Sequence, residues 1–314
     1  MSFASILNVA AILAGLAFGS FVCESAEAQS PAQSLEGLSF QKKLKLAKVG
    51  DEDAQMAVAK HYEVGSKVKR SRLEAAKWYS LAMDQGNVEA QLRLGRLVHQ
   101  GGDGLKQDLV MAAQLYQAAA ELGSIEAQNW LGYCYQHGLG VEQNDKTAVE
   151  WYQKAADGKL AMAENNLGLM YLSGTGVDQN YAKAFELFER SANQGYDWGM
   201  NNLGGLYEKG WGTEQDLAKA LFLYRQAAAK GNDAASKSEK RLAPLVIKSE
   251  ANPAVEPAGA APDKPATMTP PAEQSPVDSI NPPPLSAANP LNSKPAPVVP
   301  PPPEKKVKSD SSSE

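Results

Sequence analysis

Proline is missing from the whole middle of this 314-residue chain. Eighteen of its 19 prolines lie from Pro244 onward, the other is Pro31, and none falls between Ala32 and Ala243. A stretch of that length without proline, rich in Ala, Leu, Gln and Glu, predicts helix after helix. It excludes an immunoglobulin-like or barrel chain, whose turns normally use proline. Cysteine is almost absent as well: Cys23 and Cys134, with no CxxC spacing, cannot build a disulfide framework. The three histidines, His61, His99 and His137, follow no metal-ligand spacing and HExxH is missing, so no metal or other cofactor is expected. An excess of one charge sign is also lacking. The formal charge is −5, most of it in the two ends, and the body between residues 29 and 242 is close to neutral. A neutral body offers no electrostatic footprint for a polyphosphate backbone, which excludes nucleic acid as the expected partner.

The ends differ from the middle. Ser2 to Val22 carries no charged side chain, Glu24 ends the run, and Ala26-Glu27-Ala28 supplies small residues where a signal peptidase reads. This predicts export with a mature start near Gln29, although no Lys or Arg precedes the apolar run. The competing reading is an uncleaved anchor at residues 2–22, since about 20 uncharged residues just span a bilayer. From residue 246 the chain is dominated by Pro, Ala and Ser, as in Pro282-Pro283-Pro284 and Pro300 to Pro303. With few large apolar residues to offset ordering entropy, this tail is expected to be disordered, a spacer or tether with polyproline II character.

What fills the middle is one unit written five times. Aligned on Ala54, Ala90, Ala127, Ala163 and Gly199, the steps are 36, 37, 36 and 36 residues. Five positions on stand Ala59, Gly95, Gly132, Gly168 and Gly204; eleven on, every copy has glycine. The second half repeats Ala75, Ala112, Ala148, Ala184 and Ala220, each followed four residues later by an aromatic: Tyr79, Tyr116, Tyr152, Phe188, Tyr224. Spacings of three and four put Ala163, Leu167, Met170 and Tyr171 on one face of a first helix, and Ala184, Phe188 and Ala192 on one face of a second. Neither helix can bury its stripe alone, so the copies must stack, as a superhelix or an arc.

The run Ala127-Gln128-Asn129-Trp130-Leu131-Gly132, then Gly138-Leu139-Gly140-Val141, then Ala148-Val149-Glu150-Trp151-Tyr152-Gln153-Lys154-Ala155-Ala156 closely resembles the Sel1-like repeats, relatives of the tetratricopeptide repeat. The resemblance implies an all-α solenoid with its first helices along a concave face, and adaptor or regulatory work, often in bacterial envelopes or secreted proteins. Some members of the family carry cysteine pairs and are linked to penicillin binding; this sequence lacks the pairs. The expected organisation is a signal peptide or anchor at 1–28, a lead and capping helix at 29–53, five repeats at 54–232, a capping helix at 233–245 and the proline-rich tail at 246–314. Within the lead, Leu35 to Val49 reads as a second helix without its first.

Chemistry is sparse. Cys134 falls in a mostly apolar column and reads as a core hydrophobe. The Gly-x-Gly pairs lack the Lys-Ser/Thr of a phosphate loop and read as helix stops and loop bends. The histidines occupy three different repeat positions, His61 half buried and His99 exposed beside a groove, with no nucleophile partner, so no catalytic residues and no enzyme are expected. The polar set for a partner lies on the first helices: Lys60, Arg96, His99, Asn129, Tyr133, Gln136, Asn165 and Asn201, with Trp211 in a loop. Asn129, Asn165 and Asn201 share one repeat position and suit an amide ladder that donates to and accepts from an extended peptide. The alternative is that they bond neighbouring helices or face water; Trp211 is either an interface anchor or packed on an adjacent loop. The functional expectation is an exported, periplasmic adaptor or regulator that binds a protein or peptide of the cell envelope, touching membrane only if residues 2–22 are retained. The rivals are a β-lactam-processing or cell-wall hydrolase, and a passive membrane-anchored scaffold.

Overall fold

The computed structural model describes residues 35–251. The signal or anchor expected at 1–28 and the tail beyond residue 251 lie outside the described residues. Within them run a short 3-10 turn, Leu35–Gly37, and twelve α-helices. Helix α1 is Phe40–Lys48. The five repeats follow as α2 (Glu52–Val64) with α3 (Arg72–Met83), α4 (Val88–Gln100) with α5 (Leu109–Glu121), α6 (Ile125–His137) with α7 (Asp145–Asp157), α8 (Ala161–Ser173) with α9 (Tyr181–Asn193), and α10 (Asp197–Lys209) with α11 (Leu217–Ala229). Helix α12, Asp233–Ala251, closes the stack. No described helix is long and apolar enough to cross a membrane.

Each repeat is a helix pair locked by the same few devices. The recurring alanines and aromatics are core: Ala75, Tyr79, Ala112, Tyr116, Ala148, Tyr152, Ala184 and Phe188 are wholly buried. Burying one such ring is worth about 1.5–3 kcal/mol. The ring fits because the facing position of the first helix has no side chain. A Cβ on Gly95, Gly132 or Gly168 would stand 2.8, 2.8 or 2.7 Å from the ring of Tyr116, Tyr152 or Phe188. The second helix then starts from a polar cap. Ser71, Asp108, Asn144, Asn180 and Asp216 each accept a hydrogen bond from the backbone N–H three residues on. Each also donates its own N–H, at 2.8–2.9 Å, to a carbonyl in the last turn of the preceding helix: Tyr62, Val98, Tyr135, Tyr171 and Tyr207. Such a cap contributes about 1 kcal/mol, and the paired backbone bond fixes how the loop enters the helix.

Stacking copies gives a row of local cores rather than one centre. Repeats one to three share a cluster around Tyr79, Leu97, Tyr116 and Leu131, a second gathers Tyr152, Leu167 and Met170, and a third joins Phe188, Leu206 and Tyr224 to α12. At the N-terminal end Ala47 of α1 packs with Ala54 and Val58.

Two boundaries differ from the sequence reading. The lead helix does not begin at Leu35: Ser39 caps it and Phe40 is its first residue. The closing helix does not stop near Leu245 but continues through Pro244 to Ala251, so residues 246–251 are helical and not tail. Proline inside a helix removes a backbone donor and crowds the preceding turn. Here Leu242 and Val246, on either side of it, are buried against the last repeat, and that burial holds the turn.

Candidate functional site

The first helices touch one another directly through amides and charges. Asn166 Nδ2 of α8 donates to Asn129 Oδ1 of α6 at 3.0 Å, and Asn202 Nδ2 of α10 donates to Asn165 Oδ1 of α8 at 2.8 Å. Asn201 Nδ2 donates back to Asn202 Oδ1 at 3.2 Å, and Asn129 Nδ2 rests 3.4 Å from Met162 Sδ. Asn129 and Asn165 thus spend their amide oxygens on the next repeat, whereas the Asn201 amide nitrogen bonds within its own helix. Of the two alternatives for these residues, bonding to neighbouring helices is what Asn129 and Asn165 do. The partners Asn166 and Asn202, one position further on, went unnoticed in the sequence although they too recur at repeat spacing.

The other candidates scatter. Lys60 is exposed on α2, and Arg96 and Tyr133 are half buried on α4 and α6. His99 is not exposed beside a groove: only 7% of it reaches solvent. Trp130 of the next repeat closes over it with ring centres 5.7 Å apart, and Tyr116 lies 6.1 Å away. Burial pushes the His99 imidazole below its ordinary range, so it is neutral at pH 7. Trp130 continues the aromatic run by stacking on Tyr116 and meeting Tyr133 edge-on, and Tyr133 in turn lies 4.3 Å from His137. Gln136 accepts the Tyr152 hydroxyl at 2.8 Å. Trp211 stacks on Tyr181 at the start of the preceding second helix, 5.1 Å away, with Lys209 Nζ 4.3 Å above its ring. The ring is thus packed on α9 while remaining half exposed. His61 is half buried against the edge of Phe40. Cys134 is wholly buried and its thiol is pushed up to about 12 by burial, so it is a protonated core side chain.

Buried polar atoms normally find partners, and a few here do not. Arg96 Nε and His99 Nδ1 on α4, Asn165 Nδ2 on α8 and Asn201 Oδ1 on α10 all lack a hydrogen bond among the described residues. Tyr116 Oη on α5, Asp145 Oδ1 on α7 and Tyr196 Oη at the N-cap of α10 lack one as well, so the exceptions fall on both layers. Asn165 thus keeps an unpaired donor and Asn201 an unpaired acceptor, both inside the stack, Asn165 wholly buried and Asn201 3% exposed.

The last repeat opens into a cavity of about 290 Å³ between α10, α11 and α12. Asn201, Glu208 and Lys209 of α10, Tyr224 of α11, and Ser238 and Arg241 of α12 line it. Glu208 is gripped from two sides: Tyr224 Oη donates to it at 2.9 Å, and Arg241 binds it bidentately, Nη2 at 2.7 Å. Burial alone would raise the Glu208 carboxyl, but these hydrogen bonds and the Arg241 charge hold it below the usual carboxylate range. Arg241 and Ser238 lie in the cap, where repeat spacing gives no signal, so the sequence did not disclose them.

The family model for the Sel1 repeat matches residues 52–87, 88–124, 125–160, 161–196 and 199–232. Among solved structures, a protective antigen of uropathogenic Escherichia coli with an SLR fold is 30% identical over 66% of this chain, with a TM-score of 0.59. The chain spans 44% of that antigen's length. A Sel1 repeat protein from Oxalobacter formigenes is 27% identical over 69% of this chain and 90% of its own, with a TM-score of 0.58. No curated protein matches.

Proposed function

This chain belongs to the Sel1-repeat family, whose solenoids commonly carry protein–protein interactions and are generally non-catalytic scaffolds, and on that premise we propose that it is an adaptor or regulator that holds a protein or peptide partner of the bacterial cell envelope along its first helices. The observation that carries this reading is the stack of five Sel1 repeats itself, a fold commonly used for protein–protein interaction. Lys60, exposed, and Arg96 and Tyr133, half buried, lie on the first helices where a peptide laid across them would meet their side chains. The amide-to-amide bonds between repeats hold that layer in one arrangement before the partner arrives, which lowers the ordering cost of binding. Recognition is stoichiometric, with no bond made or broken. The envelope setting rests on the uncharged run Ser2 to Val22 and the small residues before Gln29.

Photocrosslinking in cells tests both parts. A photoreactive residue placed at Lys60 or Tyr133, on first helices, is expected to give a discrete adduct with a partner. The same residue at Gln117 or Lys154, exposed on second helices, is expected to give none. Equal adducts from both layers, or none from either, overturn the binding reading. Fractionation of the same cells is expected to place the protein in the periplasm with Gln29 at its start. A cytoplasmic protein beginning at Met1 overturns export and leaves the binding reading intact.

A further inference from the structure

The cavity in the last repeat is walled in part by a position without a side chain. At the repeat position held by Lys60, Arg96, Tyr133 and Leu169 in the first four copies stands Gly205, and Gly205 is part of the cavity wall. What remains around the space is chemically asymmetric. Two cations, Lys209 and Arg241, face one carboxylate, Glu208, which is ionised and already bound by Arg241 and Tyr224. The local balance is one positive charge. Lys209, whose charge also lowers the Glu208 carboxyl, rests over the Trp211 ring, and Arg241 spends two of its five donors on Glu208. Against this, Asn201 contributes an acceptor. The residue is only 3% exposed, its Nδ2 is committed to Asn202, and its Oδ1 has no partner.

An occupant must therefore bring an N–H or O–H donor for Asn201 Oδ1 and an anion for the two cations, within about 290 Å³. A bare inorganic anion fully deprotonated leaves Asn201 unpaired, and a cation meets the wrong charge. A carboxylate a few bonds from a peptide N–H satisfies both ends. We infer that this cavity binds a carboxylate carried beside a peptide N–H, the N–H donating to Asn201 Oδ1 and the carboxylate accepting from Lys209 and Arg241. That group occurs at the carboxyl end of a polypeptide and at an internal aspartate. The inference rests on the partner-binding reading above, for which it names one recognised group, and it places that group at the C-terminal end of the first-helix layer.

The test uses the full-length protein, labelled with ¹⁵N, and four small probes. N-acetylglycine represents a polypeptide end and N-acetyl-aspartate N-methylamide an internal aspartate. N-acetylglycinamide removes the carboxylate, and N-acetylsarcosine removes the N–H. At least one of the first two is expected to shift the Asn201 side-chain amide and the Trp211 indole signals saturably, and the tighter of them identifies the source. The last two are expected to bind at least tenfold more weakly. Lys209→Gln is expected to weaken binding about tenfold. Glu208→Gln, which leaves the cavity with a greater positive balance, is expected to tighten it severalfold. Because these two variants move in opposite directions, a general loss of folding cannot imitate the pattern. Absence of saturable shifts with either carboxylate probe overturns the inference, as does equal binding of N-acetylglycine and N-acetylsarcosine. Layer-specific crosslinks without carboxylate binding remove the cavity assignment alone, and carboxylate binding without such crosslinks removes only the wider reading.

Discussion

Tyr116 carries a hydroxyl with no acceptor among the described residues, and its relatives in the other repeats show why that is unusual. Nine residues after each repeat's first anchor stands a partner for the aromatic of the second helix. Tyr79 donates to Glu63 at 2.6 Å, Tyr152 to Gln136 at 2.8 Å and Tyr224 to Glu208 at 2.9 Å. In the fourth repeat both members are apolar, Phe188 facing the position of Leu172, so hydroxyl and acceptor are lost together. Only the second repeat breaks the pairing, with His99 in the acceptor column and both His99 Nδ1 and Tyr116 Oη unpaired. Tyr152→Phe is therefore expected to cost about 1 kcal/mol, one net hydrogen bond. Tyr116→Phe is expected to cost nothing or to stabilise slightly, because it removes an unpaired buried hydroxyl. Urea midpoints of the two variants check this, and equal losses would contradict it.

At the scale of an element, the Gly-x-Gly loops do more than stop a helix. The first glycine of each pair ends the first helix in the left-handed region, as Gly174 does at φ 72°. The second glycine is pressed against the repeat before it. A Cβ on Gly140, Gly176 or Gly212 would overlap the backbone at Leu109, Asp145 or Tyr181, the first residue of the preceding second helix. The first repeat has no preceding pair, and there Lys67 takes the same left-handed backbone at φ 69°. Gly176→Ala is expected to cost about 2–4 kcal/mol, from positive φ and overlap together. Replacing Lys67 by alanine should change stability by less than about 0.5 kcal/mol. Thermal melts of both variants decide the matter, and a neutral Gly176→Ala would show that the loop is free to move away.

The whole molecule is a row of neighbours with two ends to be covered. Each local core is completed by the next helix pair, as expected of a solenoid, and the last one is completed by α12, through Ala235, Leu242 and Val246. Ending the polypeptide after residue 232 would bare the face of α10 and α11 that these residues cover. The shortened protein is expected to stay helical by circular dichroism but to self-associate, as seen by light scattering after size exclusion. A monodisperse monomer as stable as the parent would mean that the last repeat needs no cap.

Much of this was legible in the sequence because a solenoid's contacts are local. A repeat of 36 residues, small residues where helices cross, and an aromatic four residues after an alanine state which faces must meet, since each meets only its neighbour. Cys134 as a core residue followed from its apolar column in the same way. What the sequence did not disclose depends on side chains from adjacent copies competing for the same space. The caps Ser71, Asp108, Asn144, Asn180 and Asp216 recur openly but draw no attention without the carbonyls they bond. His99 looked free until Trp130, 31 residues on, was seen to close over it. Asn165 and Asn201 share a column and yet differ in which amide atom is left over, a choice made by Asn202 between them. Periodicity by itself determined the helix pairs and their stacking, because burying an apolar stripe requires only the right spacing. Which polar atoms remain unpaired, and the cavity beside Asn201, were decided only in the tertiary structure, because hydrogen-bond satisfaction and empty volume depend on how neighbouring helices fit.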